Sequence, residues 1–230
     1  NGKNYYNHIL CNEFYTAYFT RPRKDRLTII EILTQGELHF LFNQTAFTLM
    51  RSMKLPVKVL QELQKLPLEK KRGLMQMETF LNTLFPVPKR HQTNRRIILE
   101  ATAIAAYQEL PHAVNVLLTD DAPQYNLIAK HHPLCWVHDG RHYKKLAPIV
   151  PQHSEQLNSF RTAYWDFYHK LLAYKTSPTA STALLLRQEF DILFSTQTGY
   201  EDLDARIKKT RAQKEQLLLV LRHPVIPLHN

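Results

Sequence analysis

Apolar and polar positions divide the chain into a β-patterned beginning and a helix-patterned remainder. Residues 8–11 form a short apolar run, and residues 14–19 are aromatic and β-branched. Both read as extended chain. Arg21, Arg23, Lys24 and Arg26 then cluster around Pro22 and Asp25 and read as a turn. Residues 27–33 read as a further strand, Gln35 and Gly36 as a hairpin turn, and residues 38–42 as another strand. Short turns between consecutive strands predict an antiparallel meander.

From about residue 45 the period changes. Ala46, Leu49, Met50 and Met53 recur at spacings of three and four until Pro56 interrupts them. Residues 57–66 and 68–85 continue that period, and Phe85, Pro86, Val87 and Pro88 break it. Residues 93–110 predict a long helix with Ile97, Ala101, Ile104 and Ala105 on one face. After Pro111, residues 113–118 read as a buried strand that ends at Thr119, Asp120 and Asp121, and residues 134–137 as another. Strands on either side of helices predict an α/β or α+β core for residues 1–150.

Residues 151–230 read as helical throughout. Ser154 reads as an N-cap ahead of a stripe of Leu157, Phe160, Tyr164, Phe167 and Leu171. Ser177 and Pro178 read as the next helix start, with Ala183, Leu186, Phe190 and Leu193 as its stripe. Gly199 separates a third helix, which opens on Glu201, Asp202 and Asp204 and continues into Lys208, Lys209 and Arg211. Acids in a first turn suit the positive end of a helix dipole.

Composition narrows the classes. With 44% hydrophobic and 22% charged residues in 230, the chain can bury a core and is not globally disordered. Two cysteines, Cys11 and Cys135, make no disulfide framework, which points to a reducing, cytoplasmic setting. No basic-then-apolar leader opens the chain, no run is long and apolar enough for a membrane span, and the absence of an initiating Met suggests a fragment or a processed product. The net charge of +10 favours a polyanionic partner, nucleic acid before membrane.

Two groups of residues could carry chemistry. Asp120 leaves a buried-looking strand, where a carboxylate can hold a divalent cation or, ahead of Ala122 and Pro123, serve as a helix N-cap. Between residues 131 and 142, Cys135, His138 and His142 are zinc-ligand types, but a second cysteine is missing from the neighbourhood, and zinc is not expected. Arg141, Lys144 and Lys145 join the N-terminal cations as candidate phosphate contacts. No glycine-rich phosphate loop, G-x-S-x-G or H-E-x-x-H is present.

Taken in order, these blocks resemble a known group. Residues 11–20 with Lys24, Asp25, Arg26 and Leu27, the run Thr119-Asp120-Asp121-Ala122-Pro123-Gln124-Tyr125, the block 134–146, and residues 194–204 and 223–230 together resemble the DDE transposases of the insertion sequence sixty-six-like group. The resemblance spans nearly the whole chain. It implies a bacterial protein of the cytoplasm or nucleoid with an RNase H-like catalytic core in residues 1–150, including a helical segment at about 45–110, and a helical region in 151–230.

The activity implied is cleavage and strand transfer at transposon ends. Two magnesium or manganese ions held by three carboxylates would serve it, with double-stranded DNA as substrate and target and a dimer or larger assembly on it. Asp120 falls at the second carboxylate. Asn12 falls at the first, where an amide is a weak ligand for a hard dication. The third lies past Asn230. Glu13, on the opposite face of a regular strand from residue 12, is not a substitute. The implied DNA contacts are Arg21, Arg23, Lys24, Arg26, Arg141, Lys144, Lys145, Lys208, Lys209 and Arg211, and Cys135, His138 and His142 shape the wall of the active site. With Asn12 in place and one carboxylate of three, little or no strand transfer is expected. The alternatives are a non-catalytic, transposase-derived DNA-binding protein and a helical interaction module.

Overall fold

The computed structural model describes residues 4–68 and 70–230. The chain is a mixed α/β protein dominated by helix. The sheets formed among the described residues are two small antiparallel pairs. Two compact units emerge: Asn1–Asn115 with Pro123–Lys130, and Val116–Ala122 with His131–Asn230.

The first unit begins with a hairpin of β1 (Tyr6–Cys11) and β2 (Thr16–Arg21), registered by Ile9 opposite Tyr18 and His8 opposite Phe19. The strand expected at 27–33 is instead helix α1 (Arg26–Leu33). A short apolar run fits either state. Asp25 decides it, because its carboxylate accepts the Thr28 amide at 2.9 Å and the Thr28 hydroxyl at 2.8 Å as an N-cap. The helix then buries Ile29, Ile30 and Ile32. The third strand shrinks to β3 (His39–Phe40), which pairs with β4 (Arg72–Gly73) rather than with its sequence neighbour. The meander therefore stops after two strands.

Helices α2 (Gln44–Ser52), α3 (Val57–Leu63) and α4 (Leu74–Leu84) fall within the helix-patterned stretches. Of these α2 packs on α5 (Gln92–Gln108), as do α1 and β3, and in α5 Ile97, Ile98, Ala101, Ala103, Ile104, Ala105 and Ala106 are all buried. Small side chains let neighbours approach α5 from several sides; Leu41 donates its amide to the Thr102 carbonyl at 3.0 Å.

The second unit is built on residues 116–119 lying parallel to 131–134, bridged at Val116–His131 and Thr119–Leu134. The strand expected at 134–137 ends at once, because α6 (Trp136–Lys144) starts there. Long helices follow: α7 (Pro151–Thr176), α8 (Ala180–Leu193) and α9 (Glu201–Ala212), then the short α10 (Lys214–Leu217). Two caps move. Pro151 occupies the first turn of α7, so the helix starts before Ser154. Thr179 rather than Ser177 caps α8, its hydroxyl accepting the Thr182 amide at 3.1 Å.

The expected apolar stripe of α7 is buried residue for residue. Trp136 sits at the centre of an aromatic core, its ring 5.5 Å from Tyr164, 5.6 Å from Phe167, 6.3 Å from Phe190 and 6.4 Å from Phe194. Because α6 buries Trp136 and Tyr143 in this core, residues 131–150 belong with the helices after 151, and the expected boundary at 150 is not where the units divide. The C-terminal stretch is pinned to the same core. The Trp136 amide donates to the Leu228 carbonyl at 2.9 Å, and Lys175 Nζ donates to the carbonyls of Pro224, at 2.7 Å, and Ile226. Among the described residues, no helix is long and apolar enough to cross a membrane.

Candidate functional site

The 116–119 stretch delivers Asp120 to its carboxyl end. Leu117 donates to the His131 carbonyl at 3.0 Å and Thr119 to that of Pro133 at 3.3 Å, while Cys135 returns a bond to the Thr119 carbonyl at 2.8 Å. Past this ladder, Asp120 Oδ1 accepts the Ala122 amide at 3.0 Å and closes the strand end as an Asx turn. Asp120 thus closes a turn rather than capping an α-helix as expected, and only one of its two carboxylate oxygens is used in it.

Polar side chains gather around this end. His132 bridges outward from the neighbouring stretch, with Nε2 2.7 Å from Thr119 Oγ1 and Nδ1 3.3 Å from Gln216 Nε2. Burial lowers its pKa from the ordinary value, against the pull of the Asp120 charge. His142, on α6, lies 4.0 Å from Asp121. Burial, then the Arg206 charge, lower its pKa as well, with Asp121 opposing. His138 Nε2 is 3.2 Å from Arg141 Nη1, one turn further along the same helix. Residues 135–138 open a helix instead of continuing a strand, so Cys135 is a buried residue at its start and not a wall facing solvent.

The most elaborate polar contact of this unit was not among the expected site residues. Asp139 is buried on α6, paired with the buried Arg206 of α9. Thr210 Oγ1 lies 3.0 and 3.1 Å from the two Asp139 oxygens, the Tyr164 hydroxyl 3.0 Å from Oδ2, and the Tyr143 hydroxyl 2.6 Å from Thr210 Oγ1. Burial pushes the Asp139 carboxyl up, while Arg206 and the hydroxyl donors hold it back. The pair ties α6 to α9 and contacts no opening; it is a structural lock. A signal for it exists in the sequence. Trp136, Asp139, Gly140 and Tyr143 share one helical face, and so do Leu203, Arg206, Ile207 and Thr210. A charge on an apolar face needs a buried partner, but the spacing does not say which one.

Asn12 lies in the other unit, in the turn between β1 and β2. Its Oδ1 accepts the amides of Phe14 at 2.8 Å and Tyr15 at 3.0 Å, and its own backbone amide donates to the Tyr15 carbonyl at 3.0 Å. β1 ends at Cys11, so the strand alternation that set Glu13 opposite residue 12 does not extend to them. The amide oxygen expected to serve as a weak metal ligand is already spent on two backbone donors.

A two-ion site needs several carboxylates converging within about 4 Å of the ions. Among the described residues no group of three or more His, Cys, Asp or Glu side chains is placed to hold a metal ion.

The expected DNA contacts fall into two kinds. Arg23, Lys24, Arg141, Lys144, Lys145, Lys208, Lys209 and Arg211 are exposed. Arg26 is not available: its guanidinium pairs with Glu100 and donates to the Pro123 carbonyl at 2.8 Å, leaving the side chain 13% exposed. Arg21 is half-buried and paired with Glu31 at 3.1 Å.

No family model matches the chain, and no solved structure does. It is similar to a protein of Sinorhizobium fredii (strain NBRC 101917 / NGR234) described as uncharacterized protein y4jO, with 29% identity over 224 residues, which cover 94% of this chain and 67% of that protein.

Proposed function

We propose that this chain is the DNA-engaging part of a transposase of the insertion sequence sixty-six-like group, one that binds duplex DNA and does not cut it with the carboxylates it carries. The observation that carries the reading is the situation of Asp120. It ends an extended stretch that runs parallel to residues 131–134 and precedes α6, and the resemblance implies the second carboxylate of an RNase H-like core at that residue. The distribution of charge supports the DNA partner. The first unit carries 17 Lys and Arg against 9 Asp and Glu, the second 13 against 11. An excess of eight positive charges on one compact unit attracts phosphates and releases their counterions on contact.

On this reading the exposed cations do the binding, and Asp120, its second oxygen free of the Asx turn, is a single anionic ligand that does not suffice for phosphoryl transfer. The test is fluorescence anisotropy on a labelled duplex over a series of salt concentrations, with a nicking assay in magnesium alongside. The expected result is binding whose logarithm falls linearly with the logarithm of salt, with a slope of about −0.9 per phosphate neutralised, and no nicking by this chain. Changing the exposed Arg23, Lys24, Lys144 and Lys145 to Gln should lower the magnitude of the slope by about one for each phosphate left without its cation. Binding that ignores salt would sink the reading, and magnesium-dependent nicking by the chain would overturn its non-cleaving half.

A further inference from the structure

The β1–β2 hairpin ends in a tip whose two aromatic side chains have no part in the proposed function. Its four residues are Asn12, Glu13, Phe14 and Tyr15. Phe14 is 84% exposed and Tyr15 56% exposed. Exposing two adjacent aromatic rings forfeits apolar burial that the fold could otherwise use. The tip is nevertheless rigidly built. Asn12 Oδ1 holds the Phe14 and Tyr15 amides together, and the Asn12 amide closes the turn on the Tyr15 carbonyl. The strands below are held in register over six pairs, with Thr20 donating to Asn7 Oδ1 at 2.9 Å across them. Asn12 therefore presents two rings at the end of a paired hairpin.

We infer that this tip is a stacking wedge for unpaired nucleobases, so that the chain prefers DNA whose strands are locally separated. The inference rests on the proposed DNA partner and adds to it a structure-selective contact. Three observations select bases over other occupants. The unit bearing the hairpin holds the surplus of positive charge, which a polyanion complements. The exposed cations Arg23 and Lys24 stand at the foot of the hairpin, with Lys24 5.2 Å from the Tyr6 ring centroid, where a phosphate backbone would run. Six-residue strands set the tip about 20 Å from that foot. Glu13, the carboxylate at the tip, disfavours phosphate there and leaves the uncharged faces of bases as the complementary surface. Base–aromatic stacking is sequence-tolerant, and apolar side chains inserted at base steps unstack them.

The experiment compares a labelled duplex with the same duplex carrying a forked end, using 2-aminopurine at an unpaired position as a stacking reporter. The unaltered chain should bind the fork about tenfold more tightly than the duplex, the scale of one to two stacked bases, and should quench the reporter. The double variant Phe14→Ala, Tyr15→Ala should lose the preference and the quenching while keeping salt-sensitive duplex binding and an unchanged far-ultraviolet spectrum. Phe14→Trp should keep both signals. Equal affinity for fork and duplex with salt-sensitive binding intact overturns the wedge and leaves the proposed DNA partner standing. A fork preference that survives the double variant also overturns the wedge. Failure to bind either DNA overturns both readings. Concentration-dependent self-association that the double variant abolishes assigns the rings to a second copy of the chain instead.

Discussion

The two units keep their charges differently. The first spreads a net surplus of eight positive charges over its helices and hairpin and packs aliphatic and small side chains of α5 with Phe40, Phe42, Phe47 and Tyr107. The second is nearly balanced, centres on packed aromatic rings, and buries Arg206 against Asp139, whose carboxylate also accepts from the Tyr164 and Thr210 hydroxyls. Each unit also encloses an ion pair, but the pair in the first, Arg26 with Glu100, is relieved by a single backbone carbonyl, whereas the pair in the second reaches Tyr164, Thr210 and Tyr143. A surface surplus is useful for meeting a polyanion and adds little to stability. A buried pair specifies how two helices meet and penalises any change that leaves one partner alone.

That contrast can be broken from the second unit first. Trp136 and Trp165 are the two tryptophans of the chain, and both lie there, so tryptophan fluorescence reports that unit. Arg206→Met should leave Asp139 buried without its counter-charge and cost about 3–5 kcal/mol in urea unfolding followed by this signal. A destabilisation under about 1 kcal/mol would show that hydroxyl donors alone suffice for the carboxylate.

Gly140→Ala should come next. A β-carbon there would stand 2.8 Å from a ring carbon of Trp165 and 3.1 Å from Tyr164, inside the packing of α6 on α7. Overpacking at such a contact costs about 1–3 kcal/mol. Wild-type stability in the variant would mean that the Trp165 ring can move aside.

In the first unit, Asn12→Ala removes the acceptor of two turn amides at an exposed tip and should cost about 1 kcal/mol, read by far-ultraviolet circular dichroism. Asn12→Asp retains an acceptor and should be close to neutral. A large destabilisation from the aspartate variant would contradict the turn geometry.

The smallest effect concerns acid. The pKa values of His132 and His142 lie below the ordinary value near 6.5 in the folded chain. Between that lowered range and about 6.5 the unfolded chain binds more protons. Stability of the second unit is therefore complete above this window and falls as the pH drops through it. Thermal melts by tryptophan fluorescence should show the midpoint declining from about pH 7 to about pH 5.5, and the decline should shrink when both histidines are replaced by Gln.

Much of the helical part was legible in the chain itself. The stripe of Leu157, Phe160, Tyr164, Phe167 and Leu171 is buried as its spacing predicted, because a period of about 3.6 admits one face. Residues 27–33 were not legible in that way. A short apolar, β-branched run fits a strand as well as a helix, and the Asp25 cap, together with burial of the three isoleucines, tipped the balance. The candidate site divides along the same line. Asp120 at the end of the 116–119 stretch was foreseen from its local context. Asn12 was read as a strand position and is a turn residue, a difference set by where β1 ends.

The amino-acid sequence alone determined which stretches of the second half are helical, which faces are apolar, and that the chain carries a large positive surplus, since these depend on residue type and local spacing. Only the tertiary structure decided that Arg26 is consumed by Glu100, that Asp139 and Arg206 meet 67 residues apart, and that residues 131–150 join the helices behind them. Those outcomes depend on which buried charges find partners and which apolar faces pack together, and both are settled by long-range contacts that no local pattern encodes.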